Sequence, residues 1–148
     1  MANYKTVRQL TEADAAYIAG LVDGEGTVGL LRRHAHEQRQ LVVSIVSTER
    51  IMLEFVLTRI GAGKITAKRI ARMHHAPSFT FSISNRQALR LLQQIAPYLR
   101  SYKSARATLV LAHYLRLTPR NGKYTEQLSM ERQAFVDAFL ALCPRRGH

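Results

Sequence analysis

The chain has 148 residues, 47% of them apolar, which fits one domain with a real core and excludes a disordered basic tail. Against 22 Lys and Arg stand only 10 Asp and Glu, a formal charge of +12 that points to a polyanionic partner. No apolar run is long enough to span a membrane, and one cysteine, Cys143, excludes a disulfide framework or a Cys-rich zinc site. The start, Met1-Ala2-Asn3-Tyr4-Lys5, lacks the apolar stretch of a secretory signal. A soluble intracellular protein is therefore expected (cytoplasm, nucleoid or organelle matrix), with no membrane or small-molecule partner.

Thr11 reads as a helix N-cap with Glu12 and Asp14 in the first turn, and the helix is expected to reach about Asp23 before Gly24 and Gly26 stop it. Two strands follow, 27–33 and 40–47, joined by a polar loop over 34–39. In the second strand Leu41, Val43 and Ile45 alternate with Gln40, Val42, Ser44 and Val46. Thr48 is expected to cap the next helix, where Met52, Val56 and Ile60 form a stripe that ends at Gly61. The pattern repeats with strands at 64–69 and 78–84, the latter alternating Phe79, Phe81 and Ile83 with Ser78, Thr80 and Ser82. Helices over 86–95, 103–117 and 130–142 complete the chain, the last after a loop with Pro119, Asn121 and Gly122.

This order, αββαββααα, predicts an α+β fold: a four-stranded antiparallel sheet, apolar on one face and backed there by helices. The other face would carry Arg33, Gln40, Ser44, Lys64, Thr66, Lys68, Thr80 and Ser82. Such a polar, basic face suits a nucleic-acid groove, with Arg32 and Arg39 adding charge from the loop. Further cations cluster at Arg69 and Arg72 and at Arg100, Lys103 and Arg106.

Against this basic background, residues 10–31 contain no Lys or Arg but hold Glu12, Asp14, Asp23 and Glu25. Carboxylates repel the phosphates that arginines attract, so an acidic spot here needs a reason. Ala16, Gly20 and Gly24 recur every four residues along one helical stripe. Each glycine costs a helix about 1 kcal/mol relative to alanine. A small-residue stripe of that kind lets another backbone approach closely, either the same helix of a second copy or the chain's own sheet; both remain open. Asp23 and Glu25, two residues apart, do not share a helix face. They suit Mg²⁺, which takes one or two carboxylates plus phosphate oxygens, or are simply two solvated acids.

The segment Ile18-Ala19-Gly20-Leu21-Val22-Asp23-Gly24-Glu25-Gly26 closely resembles the signature of the LAGLIDADG homing endonucleases. Thr11-Glu12-Ala13-Asp14-Ala15-Ala16-Tyr17 is similar to what precedes that signature in single-motif members, and the αββαββα order matches their core. The resemblance covers about residues 10–117 of a single domain, 1–148, with 118–148 as a helical extension. It implies a homodimer that meets through Ala16, Gly20, Asp23 and Gly24. It implies Glu25 as the acid that binds the catalytic metal, and the Gly24 carbonyl as an auxiliary ligand. Asp23 falls on an acid with a more structural role. Lys103, in Arg100-Ser101-Tyr102-Lys103-Ser104, looks like the active-site lysine. Glu49 sits where relatives often have Gln to organise water, a role Arg50 is also placed to share.

The implied activity is a site-specific double-strand DNA endonuclease that mobilises its host element, an intron or an intein; a chain that lacks protein-splicing blocks favours an intron. It would cut a long pseudo-palindromic target and leave short 3′ overhangs. Mg²⁺ would be its cofactor, with Mn²⁺ as a substitute and Ca²⁺ supporting binding alone. The alternative is a non-cleaving nucleic-acid binder, such as an intron RNA maturase or a DNA-binding regulator. Arg33, Lys68 and Gln40 are the best base readers, Lys64, Arg69, Arg72 and Arg100 suit phosphates, and Leu31 and Val46 suit thymine methyls. His34, His36, His74 and His75 read as loop residues, because no further transition-metal ligands lie near them in sequence. Cys143 reads as a small hydrophobe on the final helix, and residues 145–148 as a tail.

Overall fold

The computed structural model describes residues 5–68 and 77–144. Arg69, Arg72, His74, His75 and the tail 145–148 lie outside the described residues. The elements are α1 (Glu12–Glu25), β1 (Gly26–Leu31), β2 (Gln40–Ser47), α2 (Arg50–Ile60), β3 (Lys64–Lys68), β4 (Ser78–Ser84), α3 (Asn85–Ile95), α4 (Tyr102–His113) and α5 (Glu126–Ala141), with a 3₁₀ turn at Ala96–Tyr98. This is the expected α+β order.

The strands form one antiparallel sheet in the order β1-β2-β4-β3. Two hairpins, β1–β2 and β3–β4, are joined through β2 and β4. Period-2 alternation sends Val28, Leu30, Leu41, Val43, Ile45, Phe81 and Ile83 to one face, where all are buried under the helices. Helix α1 contributes Ala15, Ile18, Ala19 and Val22 to that core, α2 Leu53, Val56 and Ile60, and α3 Ala88, Leu91, Leu92 and Ile95. A buried Leu or Ile side chain gains about 1.5–3 kcal/mol over exposure, so this apolar layer is the main force holding helices to sheet.

Several boundaries differ from expectation. Helix α1 does not stop at Asp23: it continues through Gly24 and Glu25, and the extended residue after it, Gly26, donates its N–H back to the Val22 carbonyl. Thr48 does not cap α2. Glu49 holds the N-cap position without a side-chain cap bond, and its N–H donates to Ser47 Oγ at 2.9 Å. Strand β1 ends at Leu31, so Arg33 lies in the loop beyond it. Helix α4 ends at His113 rather than 117. Helix α5 starts four residues early because Thr125 Oγ1 accepts from the Leu128 N–H at 3.1 Å and Glu126 fills the first turn. Cys143 lies past the end of α5 and is exposed, not on an apolar face.

Two arginines tie the helical extension to the sheet. Arg106 donates to the Val28 carbonyl at 2.8 Å and to the Leu142 carbonyl at 2.7 Å, with its guanidinium over Phe139. It is a brace for β1, an edge strand, and not a member of a free basic cluster. Arg132 is 1% exposed and donates to the carbonyls of Leu117 and Arg39, both at 2.6 Å, and to Thr118 Oγ1 at 2.7 Å. No helix among the described residues is long and apolar enough to cross a membrane.

Candidate functional site

The end of α1 is where the sequence placed its chemistry. Asp23 and Glu25 are both helical there, about 200° apart around the axis, and their surroundings differ accordingly. Asp23 turns inward. Its carboxylate accepts from the Arg100 N–H at 2.7 Å, the Ser101 N–H at 3.2 Å and the Ser101 hydroxyl at 2.5 Å. Partial burial alone would push this carboxyl up. The Ser101 hydroxyl, the two N–H donors and the nearby Lys103 charge outweigh it and hold the carboxyl below its usual range. Asp23 thus anchors the segment that leads into α4, where Ser101 is the N-cap, and its carboxylate is not an open metal ligand.

Lys103 completes the same anchor from the other side. It is 7% exposed, and its ammonium donates to the carbonyls of Val22 and Asp23, both at 2.8 Å. These carbonyls belong to the last turn of α1, the negative end of its dipole, where a cation is favourable. Burial pushes the Lys103 pKa below its usual value and Arg106 adds to that. Asp23 and Glu25 pull the other way, which puts both acids within electrostatic reach of the amine.

Glu25, by contrast, is exposed, as is Gly24 beside it. Its backbone is held from the next residue: a Cβ on Gly26 would sit 2.5 Å from the Ser44 carbonyl oxygen and 2.8 Å from Val22 Cα. Only glycine permits that approach, so α1 runs into β1 without a loop and the acid's place is tied to the sheet. Gly26 pairs with Ile45 across β2, which continues two residues to Ser47 before Glu49 follows, exposed. Arg50, the alternative to Glu49, pairs with Glu54 at 3.0 Å and lies over Phe79.

The stripe on α1 faces open space. Ala16, Gly20 and Gly24 are exposed, and a Cβ built on Gly20 or Gly24 meets nothing within 4 Å. The chain's own sheet therefore does not use the stripe; it packs on Ala15, Ile18, Ala19 and Val22 instead. Tyr17 and Phe55 stack edge to face beside it, both partly exposed.

The outer face of the sheet follows the expected register. Thr27, Ser44, Ser82 and Lys64 form one cross-strand row, and Val46, Thr80 and Thr66 another. Gly29, Val42 and Ser84 form a third, Leu31 faces Gln40, and Lys68 pairs with Ser78. Apart from Arg33, which lies beyond the end of β1, every residue expected on this face is there; Thr27, Gly29, Val42 and Ser84 join them. Val42 was legible from its alternation with Leu41 and Val43.

Other predicted contacts are engaged internally. Arg39 Nη1 donates to the Leu30 carbonyl at 3.1 Å, and Arg32 Nη1 to the Ala35 carbonyl at 3.0 Å. Gln40 Oε1 accepts from Asn85 Nδ2 at 3.3 Å, and Asn85 in turn accepts from the Tyr114 hydroxyl at 2.9 Å. His34 and His36 stack on each other in the exposed loop.

No family model matches this sequence, and no curated protein matches it. Solved structures do match. The homing endonuclease I-CvuI, in complex with its target in the presence of calcium, aligns with a TM-score of 0.71 and 21% identity, over 93% of this chain and 86% of that one. The LAGLIDADG meganuclease I-AabMI, bound to uncleaved DNA, aligns with a TM-score of 0.62 and 20% identity, over 82% of this chain and 43% of that one. The homing endonuclease I-TnaI gives 0.57 and 17% identity, over 91% and 95%. The chain has the fold of the LAGLIDADG homing endonucleases.

Proposed function

From that fold, we propose that the chain is a homodimeric, metal-dependent, site-specific DNA endonuclease, one domain with a helical extension over 118–148. The observation that carries the reading is at the end of α1: an exposed strip of small residues runs straight into an exposed carboxylate, Glu25. A second copy seated on Gly20 and Gly24 about a twofold axis brings both Glu25 side chains to the centre of the pair. Each would then lie beside a sheet whose outer face is polar. The fold neighbours solved with DNA support a duplex as the ligand, and those crystallised with calcium or with magnesium support a divalent ion.

The donors suit a hard cation. Glu25 offers an exposed carboxylate and Gly24 a carbonyl, whereas the Asp23 carboxylate is already taken by three hydrogen bonds. Among the described residues no three of His, Cys, Asp and Glu converge, so this donor set fits Mg²⁺, which keeps waters and accepts phosphate oxygens, and does not fit zinc. Mn²⁺ would substitute, and Ca²⁺ would support binding alone. When bound, the ion supplies an activated water and neutralises charge on the phosphate. Glu25 and the Gly24 carbonyl would hold it. Lys103 keeps the end of α1 in place and adds positive potential beside the scissile phosphate. Glu49 orients water from the end of β2.

One Glu25 per strand lets the pair cut both strands of a long pseudo-palindromic site and leave short 3′ overhangs, the cut on which intron mobility depends. Gln40, Ser44, Lys64, Thr66, Lys68, Thr80 and Ser82 read the groove from the strands. Arg32, Arg33 and Arg39 approach it from the loop, although the internal bonds of Arg32 and Arg39 make Arg33 the strongest of the three.

The test is selection of cleaved sites from a randomised duplex library with Mg²⁺, followed by Glu25→Gln on the selected site. The variant is expected to lose at least about 10³-fold in cleavage, roughly 4 kcal/mol, while binding is retained. Cutting by Glu25→Gln at the wild-type rate would remove Glu25 from the site. Tight binding by the wild type without any cutting would assign the chain to the non-cleaving binders.

A further inference from the structure

We propose that the helical side of the molecule carries a second binding cleft for a phosphodiester backbone, separate from the sheet face and independent of the cleavage reading. The cleft has a volume of about 430 Å³, and Thr6, Arg86, Gln87, Arg90 and Arg120 are among its lining residues. Thr6 also lines an adjoining shallow hollow of about 480 Å³ that adds Lys5 and Arg8. Five cations from three separate segments thus line two hollows that meet at Thr6.

Its place in the fold sets it apart from the sheet face. Arg86 and Arg90 are one turn apart on α3, on the side opposite Ala88, Leu91, Leu92 and Ile95, which pack toward the strands. The cleft wall is built rather than incidental. Gln87 Nε2 donates to the Lys5 carbonyl at 2.6 Å and Gln94 Nε2 to the Arg8 carbonyl at 3.0 Å. The Arg8 N–H donates to the Ile60 carbonyl at 2.8 Å. These bonds seat the segment 5–10 across α2 and α3.

Among the described residues no carboxylate lines either hollow. The three ion pairs among the described residues involve Arg50, Arg59 and Arg116, and none of these five cations. Like charges converging without a counter-ion repel, and a polyanion relieves that repulsion. Guanidinium forks match phosphate oxygens in geometry as well as charge, and a depression that runs past one residue's width suits a polymer better than a single phosphate.

The test is fluorescence anisotropy of the full chain with unstructured oligouridylate and oligothymidylate, neither of which requires cutting. R86Q/R90Q/R120Q is expected to weaken binding at least about tenfold and to flatten the slope of log K against log salt by about 2, near 0.7 for each phosphate no longer neutralised. K123Q, which removes an exposed cation outside both hollows and the sheet face, should cost less than about threefold. Arg86 also donates to the Thr118 carbonyl at 3.3 Å, so R90Q/R120Q serves as a second variant that leaves that bond in place. Equal loss for the two oligomers assigns the cleft to any phosphodiester backbone, and a larger loss for oligouridylate assigns it to RNA through the 2′-hydroxyls. No loss in either variant, an equal loss in K123Q, or binding of polyglutamate in place of both oligomers would overturn the proposal.

Discussion

The two sides of α1 are built from similar residues and live in opposite surroundings. On one side Ala15, Ala19 and then Gly26 are small because a sheet lies against them, and at Gly26 there is no room for a single added carbon. On the other, Ala16, Gly20 and Gly24 are small with nothing against them. The same contrast divides the two acids: Asp23 is consumed by three hydrogen bonds and Glu25 is left outward. Each internal glycine costs the helix about 1 kcal/mol, and the dimer proposed above would give that empty side a neighbour.

Four substitutions break or sharpen this contrast. The largest effect on the fold is expected from Gly26→Ala, since its methyl group would meet backbone atoms of both Ser44 and Val22. Urea titration should show a loss of about 2–3 kcal/mol, and an unchanged midpoint would refute the close junction. Lys103→Met keeps the volume but removes the donor to the Val22 and Asp23 carbonyls. A loss of about 1–2 kcal/mol is expected, because relief of the buried charge offsets part of the lost bonding. Cleavage should fall far more than stability does, and parallel losses would make Lys103 a brace alone.

Gly20→Ala should act in the opposite direction within the chain. Its methyl group meets nothing, so helix propensity raises the stability of the isolated chain by up to about 1 kcal/mol. In the proposed dimer the same group separates the helices, so sedimentation equilibrium should show more monomer. An unaltered dimer would move the interface elsewhere. The smallest effect concerns acid. The Asp23 carboxyl is held below 3.8 in the folded chain, so its contribution is complete above that value and is lost as pH falls below it toward the folded value. Asp23→Asn should flatten the fall in stability as the pH drops below about 4, the range of the unfolded carboxyl. An identical slope would show that its three donors contribute no net stability.

Much of this was legible before any coordinates. The alternation of Leu41, Val43 and Ile45 and of Phe79, Phe81 and Ile83 gave both faces of the sheet, because a strand has only two sides and one of them had to be buried. What was not legible had a common cause: it depended on groups far apart in sequence. The engagement of Asp23 needed Arg100 and Ser101, and the burial of Arg132 needed the carbonyls of Arg39 and Leu117. Nothing near Asp23 or Arg132 in sequence announces those partners. The end of α1 was misplaced for a related reason. Gly24 reads as a stop locally, but with Lys103 capping the carbonyls of Val22 and Asp23 the helix goes on two residues further. The early start of α5 was readable from Thr125 and Glu126.

The loopless joint between α1 and β1 has a consequence for retargeting. Because residue 25 and the first pleat of the sheet share one rigid corner, in the proposed endonuclease the acid would act as the zero mark on a ruler whose graduations are the side chains of β1 and β2. Redesigning the graduations would alter which letters are recognised while the offset from letters to incision stays constant. An insertion at the corner, even of one amino acid, would slide the zero and misalign every reading with its cut.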